Sequence, residues 1–344
     1  MCTNTKKVSL FLLAVLLSIP SSAGVKKKLP VIVESTGREP AVLWREPTDI
    51  EARDLFYGPG GKRHEPHGTF TFVKEDLGQS NPKFIVVDQD GMKWKVKLGA
   101  EARPETVATR LMWAVGYFAN EDYFLPLLRP ENMPARLARG QQFVNRDGSV
   151  RNVRLKREPR DEKKIGNWAW REDPFTGTRE LNGLRVMMAL INNWDLKDEN
   201  NAVYEEAGRD GQGPRRIYMV SDVGASFGTV GPWWPRRVAE GNPRSYAHSK
   251  FIRTINPEQV DFRVPGRPPW VYSLINRTEY RNRRDMVWIG RNIPRADARW
   301  IGQILARLSP NQLRDAFRAA GYTPEQVEKF ASVIEHRITE LNQI

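Results

Sequence analysis

The segment Lys83-Phe-Ile-Val-Val-Asp-Gln-Asp-Gly-Met-Lys-Trp-Lys-Val-Lys-Leu98 constrains the fold more than any other stretch of the chain. Two strand-forming runs flank Asp90-Gly91, the pattern of a β-hairpin. In the second run Trp94, Val96 and Leu98 share one face and Lys93, Lys95 and Lys97 the other, as a period of two requires. The alternation Gly-Thr-Phe-Thr-Phe-Val at 68–73 adds another strand, so residues from about Glu51 to Leu98 read as a small sheet. Gly99 ends the second run and Pro104 sits in the first turn of a helix, whose apolar stripe is Val107, Leu111, Val115 and Phe118, with Gly116 as an internal cost.

The remainder reads as mostly helical. A helix over Arg179 to Asn193 buries Leu181, Leu184, Met188 and Ile191, and from Asp297 onward two helices are separated by Gly321 and the start signal Thr323-Pro324-Glu325. The 344 residues are 40% hydrophobic and include 11 Trp and 14 Phe, enough to build a core for one large domain or two modest ones. One cysteine excludes a disulfide-stapled mini-protein, and a net charge of +13 excludes an acidic disordered chain. At the start, Lys6 and Lys7 precede the apolar run Leu10–Ile19 and the small residues Ser21-Ser22-Ala23, the pattern of a signal peptide over residues 1–23. The run is too short to span a bilayer. Cleavage removes the cysteine, Cys2, and yields a mature chain without a transmembrane segment, exported to a periplasmic or extracellular compartment.

Chemistry concentrates where the second helix ends. Asn193-Trp194-Asp195-Leu196-Lys197-Asp198-Glu199-Asn200 is a polar loop, and the short strand Ala202-Val203-Tyr204 follows it. After a Gly-rich turn, Ile217 to Gly224 forms a strand ending in Asp222-Val223-Gly224. Pairing of these two strands brings Asn200 and Asp222 to one edge, and two oxygen ligands there suit Mg²⁺.

With these residues the chain resembles the protein-kinase-like superfamily. Asp195-Leu-Lys-Asp-Glu-Asn200 is similar to its catalytic loop and Asp222-Val-Gly224 to its Asp-Phe-Gly motif. Lys97 matches the nucleotide-binding lysine, and Glu105 its ion-pair partner, with Glu101 as the alternative partner. The resemblance spans roughly residues 55–228. It implies an α+β, two-lobed protein-kinase-like fold with a small β-rich N-lobe and a mostly helical C-lobe. The expected layout is a signal peptide (1–23), an N-terminal extension (24–50), a small lobe (51–130) and a large lobe (131–344). It also implies ATP and Mg²⁺ as cofactors, with Lys97 on the phosphates, Glu105 holding Lys97, and Asp195 as base. Lys197 would neutralise the transferred phosphoryl group, and Asn200 and Asp222 would ligate the metal. The acceptor is a hydroxyl on a protein, lipid or sugar; no nucleic-acid partner is expected.

The pattern departs from the conventional protein kinases. Asn193-Trp194 stand where His-Arg would, Val223 replaces Phe, and no Ala-Pro-Glu follows. These departures resemble the atypical branches: secretory-pathway kinases, phosphatidylinositol kinases and bacterial toxin kinases. Gly58-Pro-Gly-Gly61 is a partial candidate for a phosphate-covering loop but does not match GxGxxG.

Other readings compete for the same chain. Gly224-Ala225-Ser226-Phe227-Gly228 satisfies the GxSxG of serine hydrolases, with His248 or His336 as the available histidines, but Gly231-Pro232 forbids the helix such an elbow needs. An exported pseudokinase scaffold is a further alternative, because ATP is scarce outside the cytosol. Trp233-Trp234-Pro-Arg-Arg237 and Arg267-Pro-Pro-Trp270 could face an anionic partner. The scattered histidines make no zinc pattern, and there is no GxxxxGK[ST] loop.

Overall fold

The computed structural model describes residues 40–78, 81–159, 162–207, 213–229, 240–264, 270 and 272–344. The segment at 1–23 expected to be a signal peptide lies outside them, as do most of the Gly-rich turn after residue 207 and most of the two Trp/Arg-containing loops. The chain runs through β1 (Ala41–Val42), β2 (Phe70–Asp76), β3 (Lys83–Asp88), β4 (Lys93–Lys97), α1 (Ala102–Ala114), β5 (Asp122–Leu128), β6 (Pro130–Glu131), β7 (Val150–Arg157) and β8 (Glu162–Gly166). It continues through α2 (Arg179–Leu190), β9 (Asn201–Glu206), β10 (Arg215–Val220), α3 (Pro243–Ala247), β11 (Ile252–Ile255) and β12 (Gln259–Phe262). It closes with α4 (Tyr272–Ile275), α5 (Arg277–Asp285), β13 (Ile293–Pro294), α6 (Arg295–Leu305), α7 (Pro310–Arg318) and α8 (Pro324–Asn342).

The architecture is α+β. A six-stranded sheet has the order β5-β7-β4-β3-β2-β6, a four-stranded sheet β1-β10-β9-β8, and a three-stranded sheet β11-β12-β13. The β3–β4 hairpin forms as the alternation requires: Val87 faces Lys93 across it, and Gly91 takes φ +74° in the turn. Trp94, Val96 and Leu98 join Phe84, Val86, Val153 and Leu155 in the core of the six-stranded sheet. A second core unites α1, α2 and the C-terminal helices through residues such as Leu111, Met188, Ile301, Phe317 and Phe330. Each fully buried Leu, Ile or Phe there contributes roughly 1.5–3 kcal/mol. The larger sheet takes β7 from beyond residue 130, so its strands span residues 70–157.

Several element ends differ from the sequence reading. Gly116 is not a cost inside α1 but its stop: it adopts φ +97°, and the amides of Gly116 and Tyr117 donate to the carbonyls of Trp113 and Met112. A Cβ there would meet the Arg45 carbonyl. Phe118 therefore lies beyond the helix. Helix α2 ends earlier than Asn193 because Asn192 takes φ +56° and the Asn193 amide donates to Met188 O. The C-terminal region holds α6, α7 and α8 where two helices were expected. The missed break is Ser309-Pro310, where Ser309 and Gln312 form a capping box; Thr323 caps α8 as the sequence indicates. Among the described residues no helix is long and apolar enough to cross a membrane.

Candidate active site

Lys97 ends β4 pointing away from the apolar face, and its side chain is 2% exposed. Its ammonium lies 2.9 Å from Glu101 Oε2, 2.8 Å from Glu105 Oε2 and 3.0 Å from Asp222 Oδ1. Sequence reasoning left Glu105 and Glu101 as alternatives, and both engage. Glu105 reaches Lys97 because α1 starts three residues after Gly99, whose φ of +97° turns the chain back over the sheet. Burial opposes charge on Lys97, but Asp222, Glu101 and Glu105 together outweigh it and raise its pKa well above the ordinary lysine value. Asp222 shows the converse: burial favours its neutral form, yet Lys97 and then Arg154 hold it below the usual range. Burial raises the pKa of Glu101 despite Lys97, and the charges of Asp222 and Glu105 add to the rise.

Arg154 on β7 supports this cluster from behind. It lies 2.7 Å from Glu105 Oε1 and 3.4 Å from Asp122 Oδ1, and all three side chains are buried. Burial pushes Asp122 up to about 6, against the pull of Arg154. Nothing in the motifs marked Arg154 or Asp122. Only recognition of β5 and β7 as strands could have shown them, since β7 places Arg154 directly opposite Lys97.

The β9–β10 hairpin brings the other half of the site together. Asn201 faces Val220, and the amides of Ser221 and Asp222 donate to the Asn200 carbonyl at 2.8 and 3.1 Å. The Asn200 side-chain amide donates to the Asp195 carbonyl at 2.6 Å. The Asp195 amide in turn donates to Asn193 Oδ1, so the loop is tied to itself at both ends. Lys197 Nζ lies 3.7 Å from Asp195 Oδ1. Arg283 of α5, absent from the sequence assignment, lies 3.2 Å from the same oxygen, and its guanidinium stacks on Trp194 at 4.9 Å. Arg283 is remote in sequence and sits in a highly charged helix, so no local signal marked it.

Carboxylate oxygens of Glu101, Glu105 and Asp222 approach within 4.8 Å of one another. Of the three, Asp222 is the most exposed, at 21%, and its carboxylate is a hard oxygen donor of the type Mg²⁺ takes. Asp222 and Lys97 open onto a cavity of about 740 Å³ between the six-stranded and four-stranded sheets. Pro59 of the glycine-rich segment lines it, but the segment is anchored elsewhere: Tyr123 donates to Gly61 O at 2.8 Å, and Gly60 has no room for a Cβ beside the Tyr123 hydroxyl.

The structure overturns the hydrolase reading. Ser226 is fully buried, and its hydroxyl donates to Val223 O at 2.7 Å, so it braces the Asp-Val-Gly turn instead of presenting a nucleophile. His248 Nδ1 is engaged by Arg244 O.

No protein-family model matches the chain, and no curated protein resembles it by sequence. Among solved structures it is similar to the Helicobacter pylori proinflammatory kinase CtkA, at 12% identity over 81% of this chain and 98% of that one, with a TM-score of 0.43. A Golgi casein kinase matches at 10% identity over 84% of this chain and 78% of that one, with a TM-score of 0.32.

Proposed function

We propose that the chain is an ATP- and Mg²⁺-dependent phosphotransferase that moves a γ-phosphoryl group to a hydroxyl acceptor, within the two-lobed kinase-like plan that the sequence suggests. One observation carries the reading. A continuous path of contacts runs from Lys97 to Asp222 at 3.0 Å, from the Asp222 amide to Asn200 O at 3.1 Å, and from the Asn200 side chain to Asp195 O at 2.6 Å. It links a buried cation, a hard-oxygen pair and a part-exposed carboxylate, the groups that phosphoryl transfer needs in fixed relation.

In this reading Lys97 binds the α and β phosphates and Glu105 keeps it extended toward them. Asn200 and Asp222 would hold Mg²⁺, which would supply charge neutralisation for the nucleotide phosphates. Asp195 accepts the proton of the acceptor hydroxyl as the new P–O bond forms and the bond to the β-phosphate oxygen breaks, releasing ADP. Lys197, beside Asp195, offsets charge on the phosphoryl oxygens in flight. The N-terminal pattern at residues 1–23 supports export of the protein.

A second reading, a nucleotide-binding scaffold without transfer, draws on the pairing of Asp195 with both Lys197 and Arg283, which reduces its availability as a base. Thermal unfolding with and without millimolar Mg–ATP tests the shared premise. A rise in Tm that is lost in Asp222→Ala supports the site, and no rise in the native chain overturns it.

A further inference from the structure

On the face of the six-stranded sheet that lines the cavity, like charges stand directly opposite one another. Lys97 on β4 faces Arg154 on β7, and one step along the same face Lys95 faces Lys156. Cation pairs in direct cross-strand register cost stability. The first pair is answered by Glu101, Glu105, Asp222 and Asp122. The second shares one carboxylate oxygen: Glu158 Oε1 lies 3.2 Å from Lys95 Nζ and 3.7 Å from Lys156 Nζ, while Lys95 also reaches Asp76 at 3.4 Å. A third cation, Lys164, enters the same cavity from β8 of the four-stranded sheet and makes no ion pair among the described residues. Its pKa is pushed down by burial and then by the like charges of Lys156 and Lys95, a repulsion that a bound anion would relieve.

We propose that Lys95, Lys156 and Lys164 form an anion subsite, separate from the Lys97 cluster, that takes a phosphate group. The placement carries the inference: three lysines on two sheets border one cavity, where Lys95 and Lys156 stand in direct cross-strand register and share one Glu158 oxygen and Lys164 has no ion pair among the described residues. The Tyr204 ring lines the wall beside them. The phosphate belongs either to the nucleotide or to a separate phosphorylated molecule. That choice rests on the phosphotransferase reading, but the subsite itself does not.

Pyrophosphate is the probe, titrated calorimetrically at fixed ionic strength into the full chain, alone and with a saturating Mg²⁺ complex of a non-hydrolysable ATP analogue. The subsite requires that Lys156→Gln/Lys164→Gln weaken pyrophosphate binding about tenfold or more. Lys164→Gln alone, which breaks no ion pair among the described residues, should weaken it in the same direction without lowering Tm. Binding that persists beside the analogue assigns the subsite to a separate molecule; binding that the analogue displaces assigns it to the nucleotide's own phosphates. Equal pyrophosphate affinity in the native chain and both variants overturns the subsite. Failure of the analogue to bind, with pyrophosphate still dependent on Lys156 and Lys164, rejects the nucleotide reading and leaves the subsite standing.

Discussion

Arg283 Nη2 lies 3.2 Å from Asp195 Oδ1, and the same guanidinium donates to the Trp194 carbonyl at 3.3 Å while stacking on its ring. One residue of α5 thus grips both the proposed base and the residue before it. Arg283→Met should lower kcat for phosphoryl transfer by roughly 10- to 100-fold through misplacement of Asp195, while the nucleotide KM stays near native. Arg283→Lys should recover part of the loss. Steady-state kinetics of the three proteins check this, and a change confined to nucleotide KM would contradict it.

Lys97 is the shared counter-ion of Glu101, Glu105 and Asp222. Replacing it by Met leaves buried carboxylates facing one another and should destabilise the fold by about 3–5 kcal/mol. Loss of the positive charge should also drive the pKa of Glu101 higher than its already raised native position. A carboxylic acid with a raised folded pKa binds its proton more tightly in the native state than in the unfolded one. Its relative stabilisation is therefore complete below the unfolded value and lost as pH rises through the folded one. Denaturant unfolding across acidic pH should accordingly show the Lys97→Met defect shrinking as pH falls toward the carboxylate range.

Lys83 faces Lys97 across the hairpin, and burial pushes it down to about 8, with Asp76 opposing the shift and Lys97 adding to it. Here the native state releases a proton that the unfolded chain still holds, so stability should rise as pH climbs from about 8 toward the ordinary lysine value. At pH 7 the charged form is the native one and carries the penalty. Lys83→Met should then raise unfolding free energy near neutrality by on the order of 2 kcal/mol, a gain that narrows by pH 10. Urea titrations at the two pH values measure it.

Ser226 braces the turn that presents Asp222. Ser226→Ala should cost about 1 kcal/mol, the worth of one buried hydrogen bond, and a fluorophosphonate probe should leave the native protein unlabelled. Labelling at Ser226 would restore the hydrolase reading.

Much of the site was legible because the sequence states it locally. The alternation of Lys93 to Leu98 fixed which face Lys97 takes, Gly99 fixed where its strand stops, and strand pairing at 201–206 and 215–220 fixed the meeting of Asn200 with Asp222. The elements that escaped are those whose identity depends on distant partners. Strand β7 carries Arg151, Arg154, Lys156 and Arg157 among its apolar residues, and its three inner cations are buriable because the carboxylates of Glu105, Asp122, Glu158 and Glu121 meet them. The break between α6 and α7 was missed although Ser309-Pro310 and Gln312 spell a capping box. Gly116 and Asn192 looked like helix-interior residues because termination by positive φ leaves the apolar period intact to the last turn.

Transfer of label from γ-labelled ATP tests the central claim most directly, using purified protein, Mg²⁺ and a periplasmic or extracellular extract, the compartments proposed for the protein. The account predicts acceptor labelling by the native chain and its loss in Asp195→Asn, with nucleotide binding retained. Labelling that is indifferent to Asp195→Asn would contradict the role assigned to Asp195.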